Sequence, residues 1–313
     1  QNIKKSYTNS KHANANAKQA RICIRIRIRI HISPGATSLP SFAAALVRLL
    51  RVAPLPSEMW GCCAYQCDWN SLHPALPCVD QTASPGLWLE FGVFEGKTLR
   101  VMSRYAGQQR SSAPSIAAPS AVWGFDSFAG LPERWRSSHG DMALSRYIER
   151  GAFDRGGRPP FAETAQLRFV VGWYNETLRP FLEQHRGPVS VLHIDCDLYS
   201  AARTVFSLLR DRIRAGTILI LDEVVNYPEY LEGELKALHE WLGSRPDLAL
   251  QVLATSTRTV PHRPTTNIIE QSCAFRVVRR RGTTVGGRRA RHPKTTHTTP
   301  PWHGVAPTVL PER

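Results

Sequence analysis

Two runs of this sequence each end an apolar stretch in a pair of acids. Residues 191–200, VLHIDCDLYS, place Asp195 and Asp197 after four mostly apolar residues. Residues 217–223, TILILDE, repeat the pattern with Asp222 and Glu223. A short apolar run between polar flanks suits a strand buried in a parallel sheet. In such sheets ligands sit in the crevice at the carboxyl ends of the strands. Four carboxylates unloaded on one rim by two adjacent strands would form a cup for a hard divalent cation. Against this, a single such acid is more often a helix cap or a solvated loop residue.

A third feature precedes them. Residues 90–96, EFGVFEG, follow the apolar segment 86–89 and lead into a helix-like stretch. Glycines at Gly92 and Gly96 let the backbone turn tightly and approach a ligand without a Cβ clash. The spacing departs from the G-x-G-x-x-G dinucleotide fingerprint, which argues against a nicotinamide or flavin cofactor. Residues 121–126, AVWGFD, form another apolar run ending in an acid, Asp126. An acid at the second strand end of a nucleotide-binding unit accepts hydrogen bonds from ribose hydroxyls. Asp126 follows Glu90 at a longer interval than usual, and the Gln/Ser/Ala/Pro-rich insertion at 107–120 accounts for the excess.

The elements that must position these residues alternate. Strands are expected near 86–91, 121–126, 167–172, 191–195 and 217–221, with two more at 248–253 and 273–278. Helical periodicity lies between them, for example Val205, Leu208, Leu209 and Ile213. Gly216 reads as the break before the fifth strand. This pattern implies an α/β fold, a Rossmann-like doubly wound sheet, over residues 85–280. Residues 133–165 read as a long charged, glycine-rich loop beside the site, a lid or substrate wall.

The flanks differ from this middle. The 313 residues carry a net charge of +15, split as +7 over 1–84, +2 over 85–279 and +6 over 280–313. A basic excess concentrated in tails weakens a nucleic-acid reading of the whole chain. Residues 1–84 read as a low-complexity basic extension, with alternating Ile and Arg at 21–32 and a short apolar helix at 40–52. A cytoplasmic location is expected, or an organellar one if that leader is a targeting segment rather than a poorly structured extension. Residues 281–313 read as a disordered basic tail. No apolar stretch reaches the ~18–20 residues of a membrane span. Cys196 and Cys273 read as buried thiols, whereas Cys62, Cys63, Cys67 and Cys78 lack a paired C-x-x-C framework for zinc.

The four motifs occur in order: EFGVFEG at 90–96, GFDSFAGLP at 124–132, HIDCDLYS at 193–200, and Asp222 with Glu223. Together they resemble the class I S-adenosylmethionine-dependent methyltransferases, specifically the macrocin O-methyltransferase-like family. The resemblance covers about residues 85–280. It implies a seven-stranded sheet with an antiparallel last strand, and a cofactor lying across the ends of the first strands. Glu90, Gly92 and Gly96 would hold the methionine end of S-adenosylmethionine. Asp126 would bind the ribose, Ser127 and Phe128 would flank the adenosine, and Gly172 and Trp173 would border the adenine. In metal-dependent relatives three acidic or amide groups hold Mg²⁺; the matching positions are Asp195, Asp222 and Glu223. Relatives usually have Asp or Asn where this chain has Glu223.

The implied reaction is O-methyl transfer to a hydroxyl of a small molecule: a sugar, a polyketide-like alcohol or a phenol. His139, in the long loop, is the candidate general base, and Asp195 the candidate catalytic acid at the metal. His193 reads as a packed core histidine, and Asp197 as a helix cap in preference to a group that orients metal-bound water. The alternatives are a non-catalytic cofactor-binding paralogue and a nucleic-acid-binding protein acting through its basic tails. The sequence leaves self-association open.

Overall fold

The computed structural model describes residues 29–30, 38–52, 75–76, 79, 86–112, 119–137, 146–225, 227, 229–260 and 263–280. Among the described residues the strands are β1 (Arg29–Ile30), β2 (Leu87–Phe91), β3 (Val122–Asp126), β4 (Trp135–Ser137), β5 (Arg146–Ile148), β6 (Leu167–Val171), β7 (Val189–Ile194), β8 (Ile213–Leu221), β9 (Leu248–Val260) and β10 (Arg263–Arg279). The α-helices are α1 (Leu39–Val52), α2 (Lys97–Ser112), α3 (Tyr174–Gln184), α4 (Tyr199–Leu208) and α5 (Glu234–Gly243).

The main sheet has the order β1-β9-β10-β8-β7-β2-β3-β6. Strands β8, β7, β2, β3 and β6 run parallel to one another, and β10 is antiparallel to both β8 and β9. This is the expected seven-stranded Rossmann-like sheet, extended by the two-residue β1 on the edge of β9. From β2 the chain proceeds outward to β3 and β6, then returns to β7 and β8 on the other side of β2. The switch point therefore lies between β2 and β7, where an open α/β sheet forms its ligand crevice.

Strand periodicity explains why both faces are covered. Leu89, Phe91, Leu192, Ile194, Leu219 and Leu221 belong to one buried cluster, with residues of α1, α3, α4 and α5. Their alternates Trp88, Val191, Ile218 and Ile220 belong to a second, with Leu99 and Met102 of α2. A strand apolar on both faces cannot stay at a one-sided surface, so helices must flank the sheet on each side.

Several boundaries differ from the sequence pattern. Helix α1 forms where a short apolar helix was expected, and Phe42, Leu46 and Leu50 on one of its faces join the first cluster. Ala75 and Leu76 join the second, so core residues precede Pro85. Helix α4 ends at Leu208, and Ile213 already belongs to β8. Gly216 lies inside that strand with φ +106°, within the register shift between β7 and β8, rather than before the strand. Within 133–165, β4 and β5 pair antiparallel as a small separate sheet, a more ordered arrangement than the expected loop. The insertion is shorter than its composition suggests, because α2 continues to Ser112. The alternating segment at 21–32 is described only at Arg29 and Ile30, and the basic tail at 281–313 lies outside the described residues.

Candidate active site

Backbone hydrogen bonds stitch the carboxyl ends of five strands into one rim. Gly172 N–H donates to Asp126 O, Gly92 N–H to Phe125 O, Asp195 N–H to Phe91 O, and Asp222 N–H to Ile194 O, all at 2.9–3.0 Å. The functional side chains sit one or two residues beyond the last ladder pairs, where the strands splay. A cavity of about 580 Å³ opens above this rim. That volume is within the range of small-molecule sites.

One half of the cavity is built by the glycine turn. Gly92 has φ +89°, and a Cβ there would lie 1.7 Å from the carbonyl oxygen of Asp195. Only glycine lets the end of β2 pass this close to the end of β7. Asp126 then fixes the turn. Its Oδ2 accepts Val93 N–H and Phe94 N–H at 2.9 Å each, and its Oδ1 accepts Phe128 N–H at 2.7 Å. A carboxylate has about four acceptor positions, so these bonds leave one. Ser127, Trp173 and the first residues of α3, Tyr174 to Glu176, complete this half.

The other half is acidic. Asp195, Asp197, Asp222 and Glu223 all line the cavity. Two overlapping sets bring ligand atoms within 4.8 Å of one another: His193, Asp195 and Asp222, and Asp195, Asp197 and Glu223. Asp195 is common to both. The expected trio Asp195, Asp222 and Glu223 is thus split between two sets, and Asp197 joins one of them. Burial raises the pKa of Asp195 well above the usual carboxylate range, and Asp222 raises it further, while His193 opposes the shift. Burial and the Asp195 carboxylate do the same to Asp197. Glu223 is raised by burial and by Asp222 and Asp197. Its Oε2 is buried without a hydrogen-bond partner. Oxygen donors, crowded like charges and an orphaned carboxylate oxygen fit a hard divalent cation such as Mg²⁺.

Beyond the cavity lining lie several residues the sequence singled out. Glu90 is fully buried; its Oε1 accepts the Thr98 hydroxyl proton and lies 3.6 Å from His193 Nδ1. Burial opposes a charge on His193, but Glu90 and then Asp195 outweigh it and raise its pKa. His193 is fully buried, as a core histidine. Gly96 stands against the Phe161 ring, 2.6 Å from where its Cβ would be. The Phe128 ring is buried edge-on against Phe169, and only its backbone joins the Asp126 network. Gly172, with φ +136°, stands against Thr177. His139 lies outside the described residues, as do Cys62, Cys63, Cys67 and Cys78. Asp197 is not a cap: the N-cap of α4 is Leu198, with no side-chain cap bond, and Asp197 adopts φ +63°. Cys196 and Cys273 are buried free thiols.

Sequence reasoning passed over Glu234 and the first turn of α3. The second had a signal in the sequence, since it follows Trp173 directly. Glu234 had none, because it lies far from the strand-end motifs.

A profile of the macrocin O-methyltransferase family (TylF) matches residues 66–232, more than half of the chain. The chain belongs to this family. A curated relative, the 8-demethyl-8-(2,3-dimethoxy-alpha-L-rhamnosyl)-tetracenomycin-C 4'-O-methyltransferase of Streptomyces olivaceus, is 26% identical over 186 residues. The match covers 56% of this chain and 64% of that relative. Among solved structures, the calicheamicin methyltransferase CalS11 is 22% identical, with a TM-score of 0.44 over 79% of this chain and 95% of that one. The O-methyltransferase NovP is 19% identical, with a TM-score of 0.42 over 66% and 79%. None of the described helices is long and apolar enough to cross a membrane.

Proposed function

We propose that this member of the macrocin O-methyltransferase family transfers a methyl group from S-adenosylmethionine to a hydroxyl of a small molecule, with a sugar or polyketide-like alcohol as acceptor. The observation that carries the reading is the division of one cavity between the glycine turn and an acid cluster with an orphaned carboxylate oxygen. The curated relative is, by its name, a 4'-O-methyltransferase of a rhamnosyl-bearing tetracenomycin, which favours a sugar hydroxyl as acceptor.

The methyl donor supplies an electrophilic carbon on a sulfonium, so the protein's task is mainly alignment. The Gly92 turn and the remaining acceptor position of Asp126 offer a site for the donor's polar groups, with Trp173 beside them. Asp195, common to both ligand sets, would hold Mg²⁺ with Asp222 or with Glu223, and the ion would lower the pKa of a bound hydroxyl and fix its position. Leu131, Trp135 and Leu198 form an apolar wall that keeps water from the acceptor side. Asp197 faces the same cavity beside Asp195. Among the described residues it is the carboxylate placed to receive the hydroxyl proton, the role first expected of His139.

Calorimetric titration of S-adenosylhomocysteine into the full chain tests the first half of this reading. Saturable 1:1 binding is expected. Mass spectrometry after incubation with S-adenosylmethionine and a panel of rhamnosides then tests transfer. A folded chain that binds no S-adenosylhomocysteine would overturn the assignment.

A further inference from the structure

The acid cluster depends on two strand ends whose ladder has already stopped. The last paired residues of β7 and β8 are Ile194 and Leu221, followed by the Asp222 N–H to Ile194 O bond. One buried side chain bridges what lies beyond. Glu234, the first residue of α5, is fully buried. Its Oε1 accepts Cys196 N–H at 3.2 Å and lies 3.7 Å from Cys196 Sγ. Its Oε2 accepts Glu223 N–H at 3.3 Å. Cys196 stands between Asp195 and Asp197, and Glu223 follows Asp222. A single carboxylate thus holds the backbone of both acid pairs.

The position of that carboxylate is itself fixed. A Cβ at Gly233 would lie 1.9 Å from the Tyr227 hydroxyl oxygen, so α5 starts in close contact with the buried Tyr227. Behind it, Leu235 and Leu238 anchor the helix in the core. Burial raises the pKa of Glu234 well above the usual carboxylate range, and the N–H bonds from Cys196 and Glu223 oppose that shift. Two backbone donors converging from different strands require two acceptor atoms. Glutamate has both, whereas glutamine would present an N–H₂ to one of the N–H groups.

We propose that Glu234 is a positioning residue: its carboxylate clasps Cys196 and Glu223 and sets the separation between the Asp195–Asp197 and Asp222–Glu223 pairs. This inference rests on the reading of those acids as the Mg²⁺ site. It makes cation affinity, rather than cofactor affinity, the property that Glu234 controls.

The test is calorimetry of MgCl₂ and, separately, of S-adenosylhomocysteine with the full-length wild type and Glu234→Gln. Outer partners of metal ligands typically change affinity by about 10- to 100-fold. Glu234→Gln is expected to weaken Mg²⁺ by that factor while changing S-adenosylhomocysteine affinity less than about threefold. A residue with a merely structural role would move both together. If the Gln variant loses S-adenosylhomocysteine binding as well, Glu234→Asp takes its place. It keeps both acceptors but shortens the reach, and the same split is expected. Wild-type Mg²⁺ affinity in a variant that binds S-adenosylhomocysteine would overturn the clasp alone, and so would equal losses of both ligands in the Asp variant. A wild type that binds S-adenosylhomocysteine but no Mg²⁺ would overturn the metal reading and the clasp with it.

Discussion

Strands β3 and β7 lead into aspartates on the same rim, Asp126 and Asp195, and the two carboxylates have opposite surroundings. Asp126 is engaged by three backbone N–H groups of the loops around it. Asp195 faces Asp222, Asp197 and Glu223, and His193 is the basic group that offsets their repulsion. The first acid completes the fold of its own chain. The second stands among like charges, where burial and Asp222 favour its protonated form. A carboxylate at a strand end is therefore not one kind of site. The local supply of N–H donors decides whether it is a structural anchor or an open ligand.

The largest expected effects separate these roles. Asp126→Ala removes three charge-assisted hydrogen bonds and should destabilise the protein by about 3 kcal/mol or more. It should also weaken S-adenosylhomocysteine binding, because the Val93–Phe94 turn is released. Asp195→Asn should lower kcat by about 10²–10³-fold, the typical effect of deleting one electrostatic group at a reacting centre. Its thermal midpoint in chelator should stay level or rise, since one repelling charge is gone. Thermal melts and turnover of the two variants check the contrast. Equal destabilisation by both would erase the distinction between anchor and ligand.

A second pair sharpens the comparison within the glycine turn itself. A Cβ at Gly92 would collide with the backbone of Asp195 at 1.7 Å, so the two strand ends would have to separate. A Cβ at Gly96 meets the Phe161 ring at 2.6 Å, and a ring can rotate away. Both positions also have positive φ, which costs a side chain about 1–2 kcal/mol. Gly96→Ala should therefore cost about that much, and Gly92→Ala at least twice as much, together with the acid cluster's cation binding. Urea denaturation of the two variants gives the order. The reverse order would mean that the close approach of β2 and β7 is not what constrains this turn.

The residues explain which parts of this were legible in the sequence. Apolar runs such as LWLEF and TILIL report burial on both faces directly, so the parallel sheet and its strand-end acids could be read from pattern alone. Asp126, Asp195, Asp222 and Glu223 all reached the cavity rim for that reason. What pattern cannot report is the direction of a side chain once the strand ends. Glu90 is inside its strand and turns inward towards Thr98 and His193, away from the cavity. Asp197 takes a left-handed backbone conformation and joins the acids, where a helix cap was expected. Glu234 is invisible for a different reason. Its partners Cys196 and Glu223 are 38 and 11 residues away, and only the packing of α5 brings them together.

The smallest effect tests the cost assigned to the open acids. The folded-state pKa of Glu223 lies above its ordinary value, so the folded protein holds a proton that the unfolded chain releases. Its contribution favours folding at low pH and is lost as pH rises from about 4.3 through the folded-state pKa. Glu223→Gln removes that dependence. In chelator at pH 8 the variant should be more stable than the wild type by about 1–2 kcal/mol, the scale of a typical single-site effect. For a chain of this size that is a rise of a few degrees in Tm. The difference should shrink as the pH is lowered below about 4, where the wild-type group becomes protonated in both states. Mg²⁺ should then act in the opposite sense, stabilising the wild type by about 2.7 kcal/mol at a hundredfold excess over its Kd, and the variant by less. Scanning calorimetry at pH 5 and pH 8, with chelator and with Mg²⁺, gives all four values. A variant no more stable than the wild type in chelator at pH 8 would mean that Glu223 is not held at a cost, and the contrast with Asp126 would fail at that residue.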